Sequence, residues 1–249
     1  MPATLYGTPP SHPSHAARLM LEHKGIEHRM VWLLPGMWPL LLRTRGFRAA
    51  TVPALKLNRS RIQHSLEISR ALEAAKPQPA LFPADPARLR AVEEAERWGE
   101  RELQPVPRRI YRWCARTSQG VRTAIAREVG MTAPALMAAL NKPVAWYMAR
   151  KVGAEGDEAV RADLGRLPSL LDHVDGLIAE GVIGAESPNA ADFQIATSVR
   201  VLLTIEDVAP AVEGRPAAEL ARRLMPDYPG GIEAGALPGE WLEPLRSRG

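Results

Sequence analysis

The chain has 249 residues, of which 46% are hydrophobic, 32 are Lys or Arg and 28 are Asp or Glu. This length accommodates one large or two ordinary domains, and no apolar run approaches the roughly eighteen residues that a membrane span needs. The net charge of +4 does not predict nucleic-acid binding, because basic and acidic residues alternate, as they do between Arg88 and Arg112, and form no basic stripe.

The N-terminus and the cysteine content bear on the cellular compartment of the protein. The N-terminus, MPATLYGTPP, lacks the basic-then-apolar order of a signal peptide. A single cysteine, Cys114, excludes an internal disulfide and suits a reducing environment. These features predict a cytoplasmic protein that has no membrane partner.

Strand and helix patterns alternate in the first third of the chain. In chain order they predict a strand at 4–6, a helix at 14–24 ended by Gly25, a strand at 28–34 stopped by Pro35-Gly36, a hairpin of 53–57 with the segment around 61–62, and a helix at 66–75. The order β-α-β followed by β-β-α is typical of a thioredoxin-like domain.

The composition changes after residue 76, where a proline-rich connector begins. Beyond it no strand pattern remains, and the expected helices cover 87–111, 132–140, 158–180 and 190–204. Past Pro210 the tail is rich in proline and glycine, and no regular structure is assigned to it. The sequence therefore predicts two domains, 1–76 and 87–249, joined by a linker at 77–86.

The stretch 45–71, RGFRAATVPALKLNRSRIQHSLEISRA, carries the main functional signal. A Val52-Pro53 step before a strand is a place for a cis peptide, which leaves the Val52 N–H and C=O free to pair with an extended ligand. Ser65 begins a helix, whose unpaired N–H groups and dipole favour a carboxylate. Together these features predict a socket for a small peptide with an acid group, although an ordinary loop-strand-helix connection has the same pattern.

Four segments in this order resemble the glutathione S-transferase superfamily: TLYGTPPSHPSHAARLMLEHKGIEHRMV, TVPAL, QHSLEISRALEAAKPQPALFPADP and SPNAADFQIATSV. They are similar to the family's strand-turn-helix-strand unit, its cis-proline, the helix with its glutathione-contacting serine, and a capped helix of its all-helical half. The resemblance implies a thioredoxin-like N-terminal domain followed by an all-α domain. It also implies a homodimer, in which the thioredoxin-like half of one subunit faces the helical half of the other.

The activity that the resemblance implies is thiol transfer from glutathione, a co-substrate, to a small apolar electrophile, with a role in detoxification and no cofactor. Ser11 matches the family's catalytic serine, and Ser14 is a rival that the sequence leaves open. Val52, Pro53 and Ser65 match the residues that hold the peptide. One hydroxyl suffices chemically, because lowering a thiol pKa by two units takes about 2.7 kcal/mol and a hydrogen bond to a charged group supplies about 1.5–3 kcal/mol.

Other site residues follow from the same resemblance. Candidates for the electrophile pocket are Trp38, in the loop 35–50, and Arg108, Tyr111 and Arg112 in the first long helix. The clamp for the glycyl carboxylate would be one of three arginines, and the choice stays open among Arg43, Arg45 and Arg48.

Two positions depart from the family pattern. His12 follows Ser11 where the family has proline, and is interpreted as a solvent-facing turn residue. His64 is assigned to the glutathione site, where the family has an acidic residue that pairs with the γ-glutamyl ammonium; an imidazolium would repel that group. The sequence therefore leaves open whether glutathione or another thiol is used, and a non-catalytic binding or interaction protein on the same scaffold is the alternative. A thiol-disulfide oxidoreductase is disfavoured, since no cysteine lies at the start of the first helix.

The segment Asn189-Ala190-Ala191-Asp192 predicts a variant of the capping box at the start of a helix. Asn189 caps the N–H of Asp192, and the Asp192 carboxylate reaches back to the N–H of Asn189. Its expected role is structural.

Overall fold

The structure, a computed structural model, describes residues 2–33, 38–128 and 130–246. Contacts divide the chain into two compact units. The first consists of Met1–Gly99 and Leu177–Thr197, and the second of Glu100–Gly176 and Ser198–Gly249. The predicted domain bounds, 1–76 and 87–249 with a linker at 77–86, stay a prediction.

The first unit contains a four-stranded mixed sheet. Its strands are β1 (Ala3–Gly7), β2 (His28–Trp32), β3 (Ala54–Leu57) and β4 (Ser60–Gln63), in the order β2-β1-β3-β4. β1 is parallel to β2, and β3 is antiparallel to both β1 and β4. The β3–β4 turn contains Asn58 at φ 53°, a left-handed conformation that asparagine tolerates. The predicted strands and hairpin are confirmed, while the stop at Pro35-Gly36 lies outside the described residues.

Four helices accompany this sheet: α1 (His12–His23), α2 (Trp38–Thr44), α3 (Ser65–Ala75) and α4 (Pro86–Trp98). α1 begins two residues earlier than predicted, because Ser11 caps it and Pro13 fits a first turn that needs no N–H. The core joins one face of the sheet to α1 and α3 through fully buried side chains, among them Leu5, Leu55, Met20, Leu21, Ile68 and Leu72. This packing fixes the starts of α1 and α3 against the sheet.

A buried lysine ties α1 to α3. Lys24 is fully buried, and its ammonium donates to the Glu73 carboxylate and to the carbonyls of Lys76 (2.8 Å) and Pro77 (3.2 Å). Glu73 also accepts the N–H of Leu81 at 2.9 Å. These contacts hold the proline-rich segment against the end of α1, and no local pattern predicted them.

The remaining helices are α5 (Pro105–Thr117), α6 (Gln119–Glu128), α7 (Pro134–Leu140), α8 (Lys142–Lys151), α9 (Glu158–Ala179), α10 (Ala190–Leu202), α11 (Pro216–Leu224) and α12 (Glu243–Arg246). A π-helical segment, Gly99–Leu103, separates α4 from α5. The prediction of a single helix at 87–111 is therefore wrong. Pro105 begins the new helix, because proline cannot continue an existing hydrogen-bond ladder. Within the described residues, every helix is too short or too polar to span a lipid bilayer.

No regular structure was assigned beyond Pro210, and the structure forms a helix there. Pro216 occupies the first turn of α11, where its missing N–H has no cost. Four side chains of this helix are buried: Ala217, Ala218, Leu220 and Ala221. Proline therefore marks the start of a helix here, and the burial of the helix's apolar side chains stabilises it.

The predicted capping box at α10 is confirmed. The Asn189 side chain accepts the Asp192 N–H at 3.2 Å, and Asp192 Oδ2 accepts the Asn189 N–H at 2.9 Å. The second oxygen of Asp192 accepts the N–H of Gly184 at 2.7 Å. Asp192 is fully buried, so its carboxylate satisfies two backbone groups that water does not reach.

Candidate functional site

One end of the sheet collects the predicted thiol and peptide contacts. Tyr6 pairs with Ala54, and Ala54 pairs with Gln63. The last residues of β1 and β4 therefore lie beside the first residue of β3. Only a few residues separate these positions from Ser11, Val52 and Ser65. The strand register therefore brings the three segments to the same end of the sheet.

Ser11 is the N-cap residue of α1. Its N–H donates to the Thr8 carbonyl at 2.9 Å, and its Oγ accepts from the N–H and the hydroxyl of Ser14, at 3.4 and 2.9 Å. Because both contacts use the oxygen, the hydroxyl hydrogen of Ser11 is available to a ligand. Ser14 is fully buried and directs its hydroxyl to Ser11, which favours the half-buried Ser11 as the group that meets a thiol.

Two histidines in the first turn of α1 are buried. His12 is 3% exposed, so its interpretation as a solvent-facing residue is wrong; the helix begins at His12 and carries its side chain inward. His15 Nε2 lies 2.7 Å from the Pro9 carbonyl oxygen, and its ring packs on Trp32 with centroids 5.2 Å apart. Burial lowers the pKa of His15 to about 4, so this ring is neutral at physiological pH.

The peptide bond between Val52 and Pro53 is cis, as predicted. Within the described part of the chain, neither the N–H nor the C=O of Val52 forms a hydrogen bond. The side chain of Gln63 holds the segment before it, accepting the Ala49 N–H at 2.9 Å and donating to the carbonyls of Ala49 (2.8 Å) and Thr51 (3.0 Å). Gln63 was not predicted, because this contact depends on the hairpin that brings β4 beside the loop.

The start of α3 has no side-chain cap. His64 is exposed, has φ 70° and ψ 141°, and forms no capping hydrogen bond. A positive φ is uncommon for a residue with a Cβ, and such strain, of about 1–3 kcal/mol, concentrates at ligand sites. Ser65 is 2% exposed, and the first helical bond runs from the Ile68 N–H to the His64 carbonyl. The earlier N–H groups of α3 thus form an anion-binding arrangement.

The segment that leads to Val52 contains helix α2 and the loop after it. It carries one of the pocket candidates and three arginines. Trp38 is buried and its Nε1–H donates to the Ala50 carbonyl at 3.3 Å, which is the contact of a packing residue; its role in a pocket stays a prediction. Arg45 reaches the Tyr6 hydroxyl at 3.5 Å. Arg43 and Arg48 are exposed, and the choice of a carboxylate clamp among the three stays open.

The other pocket candidates lie on α5 in the second unit. Arg108 donates to Gln104 Oε1 at 2.7 Å, Tyr111 is 5% exposed, and Arg112 is half-buried. Burial raises the pKa of Tyr111, and it lowers the pKa of both Arg108 and Arg112. Tyr228, from the chain segment after α11, interacts electrostatically with Tyr111 and Arg112. It was not predicted, because no regular structure was assigned to its segment.

Cys114, also on α5, is a buried free cysteine, as the sequence predicted. Burial raises the pKa of its thiol to about 12, so it is a poor nucleophile near neutral pH. Among the described residues, no group of three His, Cys, Asp or Glu side chains is arranged to hold a metal ion.

Comparison with known proteins agrees with this architecture. Residues 5–80 match the sequence family described as the glutathione S-transferase N-terminal domain. No curated protein matches the chain.

Solved structures match over nearly the whole chain. A glutathione S-transferase from Rhodospirillum rubrum has 15% identity and a TM-score of 0.61, over 97% of this chain and 99% of that one. FzlA from C. crescentus has 17% identity and a TM-score of 0.54, over 98% and 99%. A glutathione S-transferase from Methylobacterium radiotolerans, in complex with glutathione sulfonate, has 20% identity and a TM-score of 0.50, over 94% and 97%.

Identities this low establish the fold alone. The chain has the fold of these structures, a thioredoxin-like N-terminal domain followed by a helical domain, and residues 5–80 resemble the glutathione S-transferase N-terminal domain. The predicted resemblance to the glutathione S-transferase superfamily is thereby confirmed.

Proposed function

We propose that the protein is a glutathione S-transferase-like enzyme, which transfers the thiol of glutathione or of a related peptide to a small electrophile. The observation that carries this proposal is that two neighbouring sets of backbone groups, at Val52 and at the start of α3, lack hydrogen-bond partners within the described residues. Neither the N–H nor the C=O of Val52 forms a hydrogen bond with the residues that the structure describes, and the start of α3 nearby has no side-chain cap. An extended peptide with a carboxylate satisfies both, since its backbone pairs with Val52 and its carboxylate accepts the N–H groups of α3.

Ser11 is the proposed activator of the thiol. Its free hydroxyl hydrogen donates to the thiolate, and the proton of the thiol leaves to solvent. The sulfur then forms a bond with an electrophilic carbon, whose leaving group departs with the bonding electrons. The bonds from Ser14 to the Ser11 oxygen polarise the Ser11 hydroxyl and strengthen its donation.

The remaining parts of the proposal concern the second substrate and the assembly. Arg108, Tyr111 and Arg112 of α5 contact the electrophile, and the working form is a cytoplasmic homodimer with a role in detoxification. Cys114 takes no part in the reaction, because its buried thiol stays protonated.

A calorimetric titration of the full chain with reduced glutathione tests the proposal. We expect saturable binding that Ser65→Ala weakens by about tenfold or more, because a hydrogen bond to a charged group contributes about 1.5–3 kcal/mol. Ser60→Ala is the matched control, since Ser60 is an exposed serine on β4 of the same unit. If neither glutathione nor γ-glutamylcysteine binds, the enzyme proposal is wrong, and a non-catalytic scaffold takes its place.

A further inference from the structure

The four arginines of α5 fall into two pairs. Arg109 donates to both carboxylate oxygens of Asp163, and Arg116 lies 3.5 Å from Asp157. These two are seven positions apart and share one side of the helix. Arg108 and Arg112 are four positions apart and share another side.

The second pair has no acidic partner. Arg108 donates to the neutral side chain of Gln104 at 2.7 Å, and Glu100 raises its pKa without forming an ion pair. Arg112 forms neither a hydrogen bond nor an ion pair with any residue in 2–33, 38–128 and 130–246. Both are half-buried, yet a guanidinium keeps its charge in proteins. Two like charges one turn apart and partly removed from water are unfavourable, so this side of α5 is poised for an anion.

Tyrosine hydroxyls lie beside the unpaired charge. Tyr111 on α5 and Tyr228 both interact electrostatically with Arg112. Burial raises the pKa of each tyrosine, so their hydroxyls stay protonated and can donate hydrogen bonds. The two guanidinium groups and the two tyrosines supply the charges, hydroxyls and apolar rings that match a carboxylate attached to an apolar body.

The segment that carries Tyr228 is fastened at both ends. Arg200 donates to the carbonyls of Met225 (2.9 Å) and Pro226 (2.8 Å). Beyond Tyr228, the Ile232 N–H donates to the Thr204 carbonyl at 2.9 Å. Tyr228 is therefore held in place by the fold before any ligand binds, which reduces the entropy lost on binding.

Gly230 lies next to both the Glu128 carboxylate and the Tyr111 hydroxyl. Gly230 has φ +90°, and a Cβ on it would lie 2.8 Å from Glu128 Oε2 and 3.6 Å from the Tyr111 hydroxyl oxygen. Glu128 accepts a backbone hydrogen bond from Gly230, and burial raises the pKa of its carboxyl. Glu128 forms no ion pair with Arg112 in the described part of the chain, so it leaves the charge of Arg112 without a partner.

We propose that Arg108 and Arg112, with the hydroxyls of Tyr111 and Tyr228, form a subsite for a carboxylate, so that the electrophile is an apolar molecule that carries an acid group. This inference rests on the proposed function, because it takes α5 as the part of the chain that receives the second substrate. The guanidinium fork binds a carboxylate with two parallel hydrogen bonds, and the tyrosine rings contact the apolar remainder.

Calorimetry with cinnamate and its neutral methyl ester tests the subsite. We expect cinnamate to bind at least about tenfold more tightly than the ester, and Arg112→Met to weaken cinnamate binding by about 10- to 100-fold with little effect on the ester. Arg112→Lys keeps the charge without the fork, and should lie between the two. Arg116→Met is the matched control from the paired side of α5, and should bind both probes as the unmodified protein does.

The inference is overturned if the acid and the ester bind equally, or if phenyl phosphate binds where cinnamate does not. Circular dichroism establishes that each variant is folded, and Arg108→Met decides the question if Arg112→Met does not fold. The assay needs neither thiol nor turnover. A protein that binds cinnamate but no glutathione keeps the subsite and loses the transferase proposal, whereas the reverse result loses the subsite alone.

Discussion

Ser11 caps α1, and its proposed second role is to offer a hydroxyl to the thiol; the two roles can be separated. Ser11→Ala removes the helix cap and the donor; we expect turnover of an aryl halide to fall by about one to two orders of magnitude, and the free energy of unfolding to fall by about 1 kcal/mol. Ser11→Asp keeps a good cap but places a negative charge where the thiolate forms, so stability should persist while turnover falls as far. Initial rates and urea unfolding measure both; an active Ser11→Asp enzyme would contradict the assigned role.

His64 lies beside the proposed peptide site, and its side chain forms no hydrogen bond with the residues that the structure describes. We expect His64→Glu to tighten glutathione binding, because a carboxylate at this exposed position attracts the γ-glutamyl ammonium. Arg59→Gln, in the exposed turn of the same hairpin, changes the net charge by an equal amount and serves as the control in the same calorimetric titration. Unchanged affinity in His64→Glu would show that the peptide's ammonium lies elsewhere.

The burial of His15 makes the stability of the first unit depend on pH. Its pKa falls from 6.5 to about 4 on folding, chiefly through desolvation, so between these values the unfolded chain binds a proton that the folded one excludes. Stability should therefore fall as the pH drops from 6.5 towards 4, by about 3 kcal/mol at 1.36 kcal/mol per pKa unit. His15→Gln keeps a donor for the Pro9 carbonyl without this titration, and should lose less stability between pH 7 and pH 4.5 in denaturant unfolding. An equal loss in both proteins would contradict it.

At the scale of elements, the start of α10 depends on one carboxylate. Asp192 accepts the N–H groups of Gly184 and Asn189, and truncation removes both hydrogen bonds. We expect Asp192→Ala to lower the free energy of unfolding by about 2–5 kcal/mol, since a hydrogen bond to a charged group contributes about 1.5–3 kcal/mol. Glu186→Ala, an exposed acid in the preceding loop, should change it little. Thermal and urea unfolding would detect the difference, and similar losses in the two variants would rule out this role.

At the scale of the whole molecule, the prediction is a homodimer. The resemblance to the superfamily implies it, and large apolar side chains are exposed on the surface: Trp32, Leu40, Leu136, Leu140, Trp146 and Tyr147. Light scattering at micromolar concentration should give twice the chain mass of 27.2 kDa. A single-chain mass across that range would contradict the prediction.

The sequence by itself determined the features that are local. The Val52-Pro53 step, the turn at Asn58 and the Asn189–Asp192 box depend on residues a few positions apart, whose conformational preferences and hydrogen bonds are set by the chain around them. The succession of strands along the chain and helix α3 were predicted from local turn and cap signals in the same way.

Only the tertiary structure decided what depends on distant parts of the chain. Gln63 reaches the loop before Val52 through strand pairing, and Lys24 meets Glu73 from another helix. His12 was assigned to solvent because nothing in its neighbours shows that α1 turns it inward. The tail received no assignment for the same reason: its prolines are tolerated at helix starts, and α11 is stable because its apolar side is buried, which no short window of sequence reveals.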